Sequence, residues 1–201
     1  MLIGIYRQKV IVNRPLLTET EIKHILYSVI EEIGRQRIQA KITTSIESSK
    51  KYIDIIMRKS TEILDSRSTH ESDEITASLF EALLHFMLTI CTLPSERKIQ
   101  LKNDLVLDII IPSLQTLKTS PDKSIVLQII RHDRELKKIS QIESLQPNYE
   151  NIWLISAKPL STPKYRTYSI LNTGSRRYSN IIIDIDKFLN EKGDKSFRFV
   201  H

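Results

Sequence analysis

Leu105-Val-Leu-Asp-Ile-Ile-Ile-Pro112 is the stretch of sequence that decides the fold, together with the two apolar runs that follow it. The second run is Ser124-Ile-Val-Leu-Gln-Ile-Ile-Arg131, and the third is Asn151-Ile-Trp-Leu-Ile-Ser-Ala157. Short runs rich in β-branched residues and bounded by turn residues are typical of buried strands. An amphipathic stretch separates the second run from the third, so the order predicted is strand, strand, helix, strand.

Asp108 lies in the middle of the first run, among isoleucines and leucines. A carboxylate there must be paired, protonated or bound to a metal, because burying it alone costs several kcal/mol. Strict alternation along a strand places Asp108 on the same face as Asp104, opposite Leu107 and Ile109. This arrangement favours a functional site, but an ion pair with a neighbouring cation or a half-solvated sheet face explains it equally well.

The stretch 133–145 connects the second and third strands. His132-Asp133 starts it, with Asp133 predicted as the N-cap, and apolar residues recur at helical spacing after it: Leu136, Ile139, Ile142 and Leu145. A helix between two strands forms a crossover, so we expect these strands to be parallel and the connection to be right-handed. Trp153 in the following strand is predicted to be a core residue.

The first half of the chain reads mainly as helices, after a strand candidate at Leu2 to Val12. Thr18-Glu-Thr-Glu21 has the spacing of a capping box and predicts a helix that ends at Gly34. Further helices are predicted over 48–65 and 73–92, with a polar loop between them, and the second of these is apolar on most of its circumference. Pro94 ends it, and Ser95 to Lys98 is predicted to form a further turn.

The segment Ser179 to Lys187 is predicted to be a late strand. Its two acids, Asp184 and Asp186, are two positions apart and would then share one face of the sheet. Alternatively, Asp186 caps a helix that continues to Glu191.

Composition and length are those of an ordinary globular protein, with 201 residues of which 40% are hydrophobic and 27% charged. The chain has no glycine-rich or proline-rich linker, which favours one domain over 1–201. Residues 1–93 form its mainly helical part and 94–201 its sheet-rich part. The fold class predicted is α/β, with α+β as the alternative: a helical N-terminal layer and a mixed β-sheet.

Several common chemistries are disfavoured by the residues present. The chain has four glycines and neither a GxGxxG nor a GxxxxGK[ST] motif, which argues against glycine-cradled nucleotide binding. Its single cysteine, Cys91, excludes an internal disulfide and predicts a buried thiol in a reducing compartment. No HExxH or GxSxG motif and no zinc-type Cys/His spacing occurs. With a short apolar start before Arg7 and no run near the ~20 residues of a membrane span, we expect a cytoplasmic protein without a membrane partner.

Most of the excess positive charge lies in the second half of the chain. The net charge is +6, of which residues 101–201 contribute five. The tract 151–183 has no acidic residue, carries Tyr165, Tyr168 and Tyr178, and contains five cations: Lys158, Lys164, Arg166, Arg176 and Arg177. Cations that neutralise phosphates and tyrosines that stack on bases predict contact with DNA or RNA. A solvated basic hairpin is the alternative.

Acidic and basic residues in successive elements suggest a family. Glu81 lies on the apolar helix, four residues before His85, a spacing suited to a shared metal or proton or to a local hydrogen bond. Asp108 follows in a strand, and the next strand contains Gln128-Ile-Ile-Arg131. This order, over about residues 73–158, resembles the PD-(D/E)XK restriction-endonuclease-like superfamily.

The resemblance implies an αβββαβ core and metal-assisted hydrolysis of a phosphodiester. Glu81 and Asp108 would then bind Mg²⁺ or Mn²⁺, with Gln128 and Arg131 completing the catalytic set. In such a site a hard cation polarises the phosphoryl group and lowers the pKa of water.

The motif also departs from the family pattern. Gln128 stands where the pattern has an acid, Ile130 where it has the lysine, and Arg131 is one position late, on the opposite strand face. Arginine stays protonated and is a poor substitute for lysine. Lys123 and Lys158 are alternative lysines, and Asp104 is an alternative to Asp108.

Two classes of function follow. The chain is either a nucleic-acid-acting protein, with metal-dependent nuclease activity or with catalysis lost, or a non-catalytic scaffold whose apolar helix binds a protein partner or a second copy.

Overall fold

The computed structural model describes residues 17–67, 73–101, 105–169 and 176–192. The predicted strand at Leu2 to Val12, most of the predicted loop before the third helix, and Asp104 lie outside these ranges. Four helices open the described chain: α1 (Glu19–Ile33), α2 (Arg35–Thr44), α3 (Ser48–Arg67) and α4 (Asp73–Ile90).

The boundaries of α1 confirm the capping prediction. The Thr18 hydroxyl accepts the Glu21 N–H at 3.3 Å, and the Glu21 carboxylate accepts the Thr18 N–H at 2.7 Å. Gly34 ends the helix with φ 94°, a left-handed conformation that favours glycine. The predicted helices over 48–65 and 73–92 are confirmed as α3 and α4, whereas α2, which buries only Ile38 and Ile42, was not predicted.

The described residues form a mixed six-stranded sheet in the order β1-β2-β3-β4-β5-β6. Its strands are β1 (Glu96–Gln100), β2 (Val106–Ile111), β3 (Ile125–Ile130), β4 (Ile152–Ser156), β5 (Arg166–Ser169) and β6 (Arg176–Arg177). β1, β2 and β3 pair antiparallel, and β3 to β6 pair parallel. The three apolar runs are therefore the strands predicted, and the crossover joins parallel neighbours as expected.

The turn predicted before the first apolar run and the hairpin interpretation of the basic tract are both wrong. The turn expected at Ser95 to Lys98 is part of β1, because pairing with β2 outweighs the local polar sequence, with Arg97 opposite Ile109. The basic tract is also not a hairpin, since β4, β5 and β6 all run parallel.

The connection from β3 to β4 is less regular than predicted. A 3-10 helix (Asp133–Lys138) leads into the short α6 (Ile139–Glu143), and His132 rather than Asp133 occupies the N-cap. The apolar side of this segment still faces the sheet, as Ile139 and Ile142 are buried. A second short helix, α5 (Leu114–Thr119), connects β2 to β3.

The predicted late strand is instead a helix, α7 (Ile181–Lys192). Its buried residues follow helical spacing: Ile181, Ile182, Ile185, Phe188 and Leu189. Asp184 and Asp186 therefore do not share a sheet face. Asp184 accepts a hydrogen bond from the Tyr168 hydroxyl at 2.7 Å, and Asp186 accepts one from Asn190 at 3.1 Å.

Two apolar cores cover the two faces of the sheet. The larger joins α1 to α4 and α7 to one face and includes Trp153, which is fully buried as predicted. The smaller packs Leu117, Ile139 and Ile142 against the other face. Cys91 is buried in the larger core, and burial raises the pKa of its thiol to about 12. None of the described helices is long and apolar enough to cross a membrane.

Candidate functional site

Glu81 is a buried acid at the centre of the largely apolar α4, with 7% of its surface exposed. The flanking buried residues, Phe80 and Ala82 to Leu84, fix the helix against the sheet and so hold the Glu81 carboxylate in place. Both of its oxygens bind cations. Oε1 lies 2.7 Å from Lys98 Nζ and 3.6 Å from Arg97 Nη2, and Oε2 lies 2.6 Å from Arg131 Nη2.

Asp108 is held between β2 and β3. The ladder between these strands pairs Ile109 with Leu127, and the Asp108 carboxylate then accepts the Ile129 N–H at 2.8 Å. The Asp108 N–H in turn faces the Gln128 side-chain oxygen at 3.4 Å. Side chains thus replace the backbone ladder at this point.

This insertion overturns the predicted alternation of β2. Leu107 and Ile110 both pack in the smaller core, whereas Ile109 and Ile111 pack in the larger one. A strict period of two would have put Leu107 with Ile109. The two side chains that flank Asp108 therefore lie in different cores, and the predicted pairing of Asp108 with Asp104 falls outside the described residues.

Arg131 connects the two carboxylates. Its Nη2 binds Glu81, its Nη1 lies 3.9 Å from Asp108 Oδ2, and the same Nη1 donates to the Ile129 carbonyl at 3.4 Å. Its backbone N–H donates to the Glu135 carboxylate at 2.6 Å. Both ends of the residue are therefore fixed, directly after β3 ends.

Arg97 and Lys98 join this cluster from β1 and were missed at the sequence level. Lys98 has φ 51°, a conformation that costs a non-glycine residue roughly 1 kcal/mol. In a regular strand, adjacent residues point to opposite faces, but here both reach Glu81. Had β1 been predicted as a strand, its alternation would have placed one of these two residues on the side of Glu81. Nothing in the sequence indicates the positive φ of Lys98.

Burial dominates the electrostatics of Asp108. Desolvation raises the pKa of this carboxyl, while the Ile129 hydrogen bond and the Arg131 guanidinium oppose the shift. His85, on the same helix as Glu81, has a pKa lowered by burial and by Arg97. Lys98 and Arg131 bind the two Glu81 oxygens and fix this carboxylate, rather than the predicted pairing with His85.

The structure thus brings together three of the four residues predicted as catalytic: Glu81, Asp108 and Arg131. Gln128 precedes Arg131 by three residues, but its side chain contacts the backbone of Asp108, on the strand face where Val126 and Ile130 pack in the smaller core. The alternative lysines, Lys123 and Lys158, lie elsewhere: Lys158 forms an ion pair with Asp73 at 2.9 Å.

The cluster does not fit a divalent metal in this arrangement. Mg²⁺ and Mn²⁺ require several oxygen ligands around one point. Both Glu81 oxygens already bind cations, and Asp108 Oδ2 accepts the Ile129 amide. Within the described ranges, no three His, Cys, Asp or Glu side chains are grouped to hold a metal. The Lys98 ammonium group and the Arg131 guanidinium contact the Glu81 oxygens that a metal would need as ligands.

The five cations of the predicted basic tract lie in β5, in β6 and in the segment between β4 and β5, and most have partners. Lys164 binds Glu143 at 2.5 Å, Arg176 binds Asp184 at 3.4 Å, and the Arg166 guanidinium stacks 4.6 Å from the Trp153 ring centre. Arg177 is exposed.

Two of the three tyrosines of this tract are core residues. The Tyr178 hydroxyl donates to the Phe80 carbonyl at 2.7 Å, and Tyr168 is fully buried against Trp153. Neither is placed to stack on a base. Tyr165 is half-buried, and burial together with its hydrogen bond to Glu143 raises its pKa to about 12.

A second basic surface lies next to the site. Arg134, Lys137 and Lys138 are exposed on the 3-10 helix that begins two residues after Arg131. Within the part of the chain that the structure describes, none of these three cations has an acidic partner.

Comparison with solved structures places this architecture among known folds. The chain matches the restriction endonuclease PspGI in complex with substrate DNA with a TM-score of 0.58 and 16% identity, over 87% of this chain and 96% of that one. It matches metal-depleted Ecl18kI in complex with uncleaved, modified DNA with a TM-score of 0.53 and 9% identity, over 91% and 88% of the two chains. A further structure of metal-depleted Ecl18kI with uncleaved DNA gives a TM-score of 0.50.

Sequence comparison adds no assignment, since no protein-family model and no curated protein matches the chain. The family resemblance drawn from Glu81, Asp108 and the strand order is confirmed at the level of the fold. The chain has the restriction-endonuclease-like fold.

Proposed function

We propose that the chain is a DNA-binding protein that uses the restriction-endonuclease-like fold without metal-dependent cleavage. The observation that carries this proposal is the cluster of Glu81 and Asp108 with Arg97, Lys98 and Arg131. It lies within a fold shared with two nucleases that were solved bound to DNA. Its described side chains hold more positive than negative charge, which suits contact with a phosphate rather than with a metal.

Exposed cations identify the surface that would contact the DNA backbone. Arg134, Lys137 and Lys138 follow Arg131 directly and are exposed, whereas Lys164 and Arg176 of the predicted tract bind carboxylates. An exposed cation releases counterions from DNA without first breaking an ion pair. We therefore assign the main phosphate contacts to the 3-10 helix.

The predicted tract keeps a secondary role in this proposal. Arg177 is exposed and Arg166 presents a guanidinium stacked on Trp153, so both are available at the far side of the sheet. Lys158, Lys164 and Arg176 would contact phosphates only by exchanging their carboxylate partners.

Metal-dependent cleavage is the second candidate function. The convergence of two buried carboxylates, Glu81 and Asp108, in an endonuclease-like fold favours it. Cleavage requires that a metal displace the Arg131 guanidinium from between the two carboxylates. Arg131 is held there by the hydrogen bond of its side chain to Glu81 and of its backbone N–H to Glu135.

Fluorescence anisotropy with a labelled DNA duplex tests the proposal. In EDTA, the protein should bind the duplex, and the logarithm of the affinity should fall linearly with the logarithm of salt, by about 0.9 for each phosphate contact. A single-stranded RNA of equal length serves as the comparison. Absence of duplex binding in EDTA at low salt, or affinity that does not change with salt, would show the proposal to be wrong.

A further inference from the structure

The position of the Arg131 guanidinium is the unusual feature of this site. Its two terminal nitrogens reach different carboxylates, with Nη2 2.6 Å from Glu81 Oε2 and Nη1 3.9 Å from Asp108 Oδ2. A planar fork with fixed donors bridges two acids in a way that a lysine does not. The guanidinium thus lies where a bridging cation would lie.

The surroundings hold the guanidinium in this position. Its Nη1 also donates to the Ile129 carbonyl at 3.4 Å, and the Arg131 N–H is bound by Glu135 at 2.6 Å. Glu81 and Asp108 have side-chain exposures of 10% and 6%, so water solvates neither carboxylate well. A charge left unpaired here would be strongly disfavoured.

Lys98 closes the remaining side of the cluster. It binds Glu81 Oε1 at 2.7 Å, so each oxygen of Glu81 has its own cation. A divalent metal would have to displace both cations, or remain a few ångströms from them. At that range, repulsion between like charges amounts to several kcal/mol even at partly solvated sites.

We propose that Arg131, assisted by Lys98, substitutes for a divalent metal in this site and closes it to Mg²⁺ and Mn²⁺. This inference deepens the proposed function and rests on it for its biological meaning, because a permanently cationic site binds a phosphate without a metal. The structural claim itself concerns only the described side chains around Glu81 and Asp108.

A titration with Mn²⁺ alone, without DNA, tests the claim independently of DNA binding. The full chain is stripped with EDTA, and free Mn²⁺ is followed by its electron paramagnetic resonance signal. The wild type is compared with Lys98→Met/Arg131→Met, which removes the nearest cation from each Glu81 oxygen and leaves only Arg97, 3.6 Å from Oε1. The matched control is Arg58→Met/Lys59→Met, which removes two cations from exposed ion pairs with Glu62 and Glu32.

The site variant should gain one bound Mn²⁺, with affinity about tenfold or more above that of the wild type and of the control. Adding Asp108→Asn should remove that gain. Equal Mn²⁺ uptake by the site variant and the control would overturn the proposal. So would one Mn²⁺ bound by the wild type and lost on Glu81→Gln, a comparison that decides the question even if the double variant does not fold.

Discussion

Asp108 is an ionisable carboxyl group buried in largely apolar surroundings. It is 5% exposed, and burial raises the pKa of its carboxyl despite the Ile129 amide and Arg131. A folded-state pKa above the unfolded value of 3.8 means that the proton binds more tightly in the folded protein. Stability is therefore lost as the pH rises through the folded pKa and the carboxyl ionises.

Asp108→Asn should consequently be more stable than the wild type at pH 7. The amide oxygen of asparagine still accepts the Ile129 N–H, but no charge is buried. The difference in melting temperature should shrink as the pH falls through the raised folded-state pKa of Asp108, because the wild-type carboxyl then becomes neutral as well. Thermal unfolding from pH 4 to 8 measures it. An Asn variant less stable than the wild type at pH 7 would mean that the attraction of Arg131 outweighs desolvation.

Glu81→Gln should have the opposite effect. The substitution leaves Arg97, Lys98 and Arg131 close together without the carboxylate that binds all three. Loss of one partner from a buried ion pair typically lowers the free energy of unfolding by about 3 kcal/mol. Denaturant unfolding measures this, with Glu62→Gln in an exposed pair as the control, expected to change it by less than about 1 kcal/mol. Equal small effects at both positions would contradict a central role for Glu81.

The burial of an acid could be predicted from the sequence where one residue carries the signal. An acid in an apolar strand and an acid in an apolar helix both indicate buried charges, which is why Glu81 and Asp108 were found. Lys98 could not be found, because its contribution depends on a positive φ in β1. Gln128 was predicted to belong to the cluster, but its side chain lies on the other face of β3. The prediction failed because side chains insert between β2 and β3 and change which residues of β2 face each core.

At the scale of elements, the 3-10 helix after β3 is the segment that we expect to determine DNA affinity. Replacement of Arg134, Lys137 and Lys138 by alanine should weaken duplex binding and lower the salt slope by up to about 0.9 per lost contact. Fluorescence anisotropy over a salt series measures both quantities. The matched control is Arg35→Ala/Arg37→Ala/Lys41→Ala, which removes the same charge from exposed positions of α2. Equal losses in both variants would mean that net charge alone, rather than this helix, determines binding.

Elements were predicted well where periodicity was strong and poorly where it was ambiguous. α1, α3 and α4 have long amphipathic or apolar patterns, and β2 to β4 are short β-branched runs. Ile181 to Ile183 is also β-branched, yet it opens α7, because burial at helical spacing continues through Phe188 and Leu189. Tertiary packing against the larger core, which a local pattern does not contain, decides between strand and helix there.

At the scale of the whole molecule, the order of elements gave the fold before any comparison. An acidic apolar helix, two strands, a crossover and a further strand were enough to suggest the endonuclease-like core, although β1 was not predicted, and the match to PspGI covers 87% of the chain. Function follows less directly, because it depends on whether the carboxylates of this core face a metal or a cation of the chain itself. We propose that Arg131, one position late in the motif, decides between the two.

The most direct test of the central claim is a single incubation of the wild-type protein with a labelled duplex in EDTA, in Mg²⁺ and in Mn²⁺. Native and denaturing gels then report binding and cleavage from the same samples. We predict a retarded, intact duplex under all three conditions. Metal-dependent cutting that disappears in Asp108→Asn would contradict the account and establish the chain as an active nuclease.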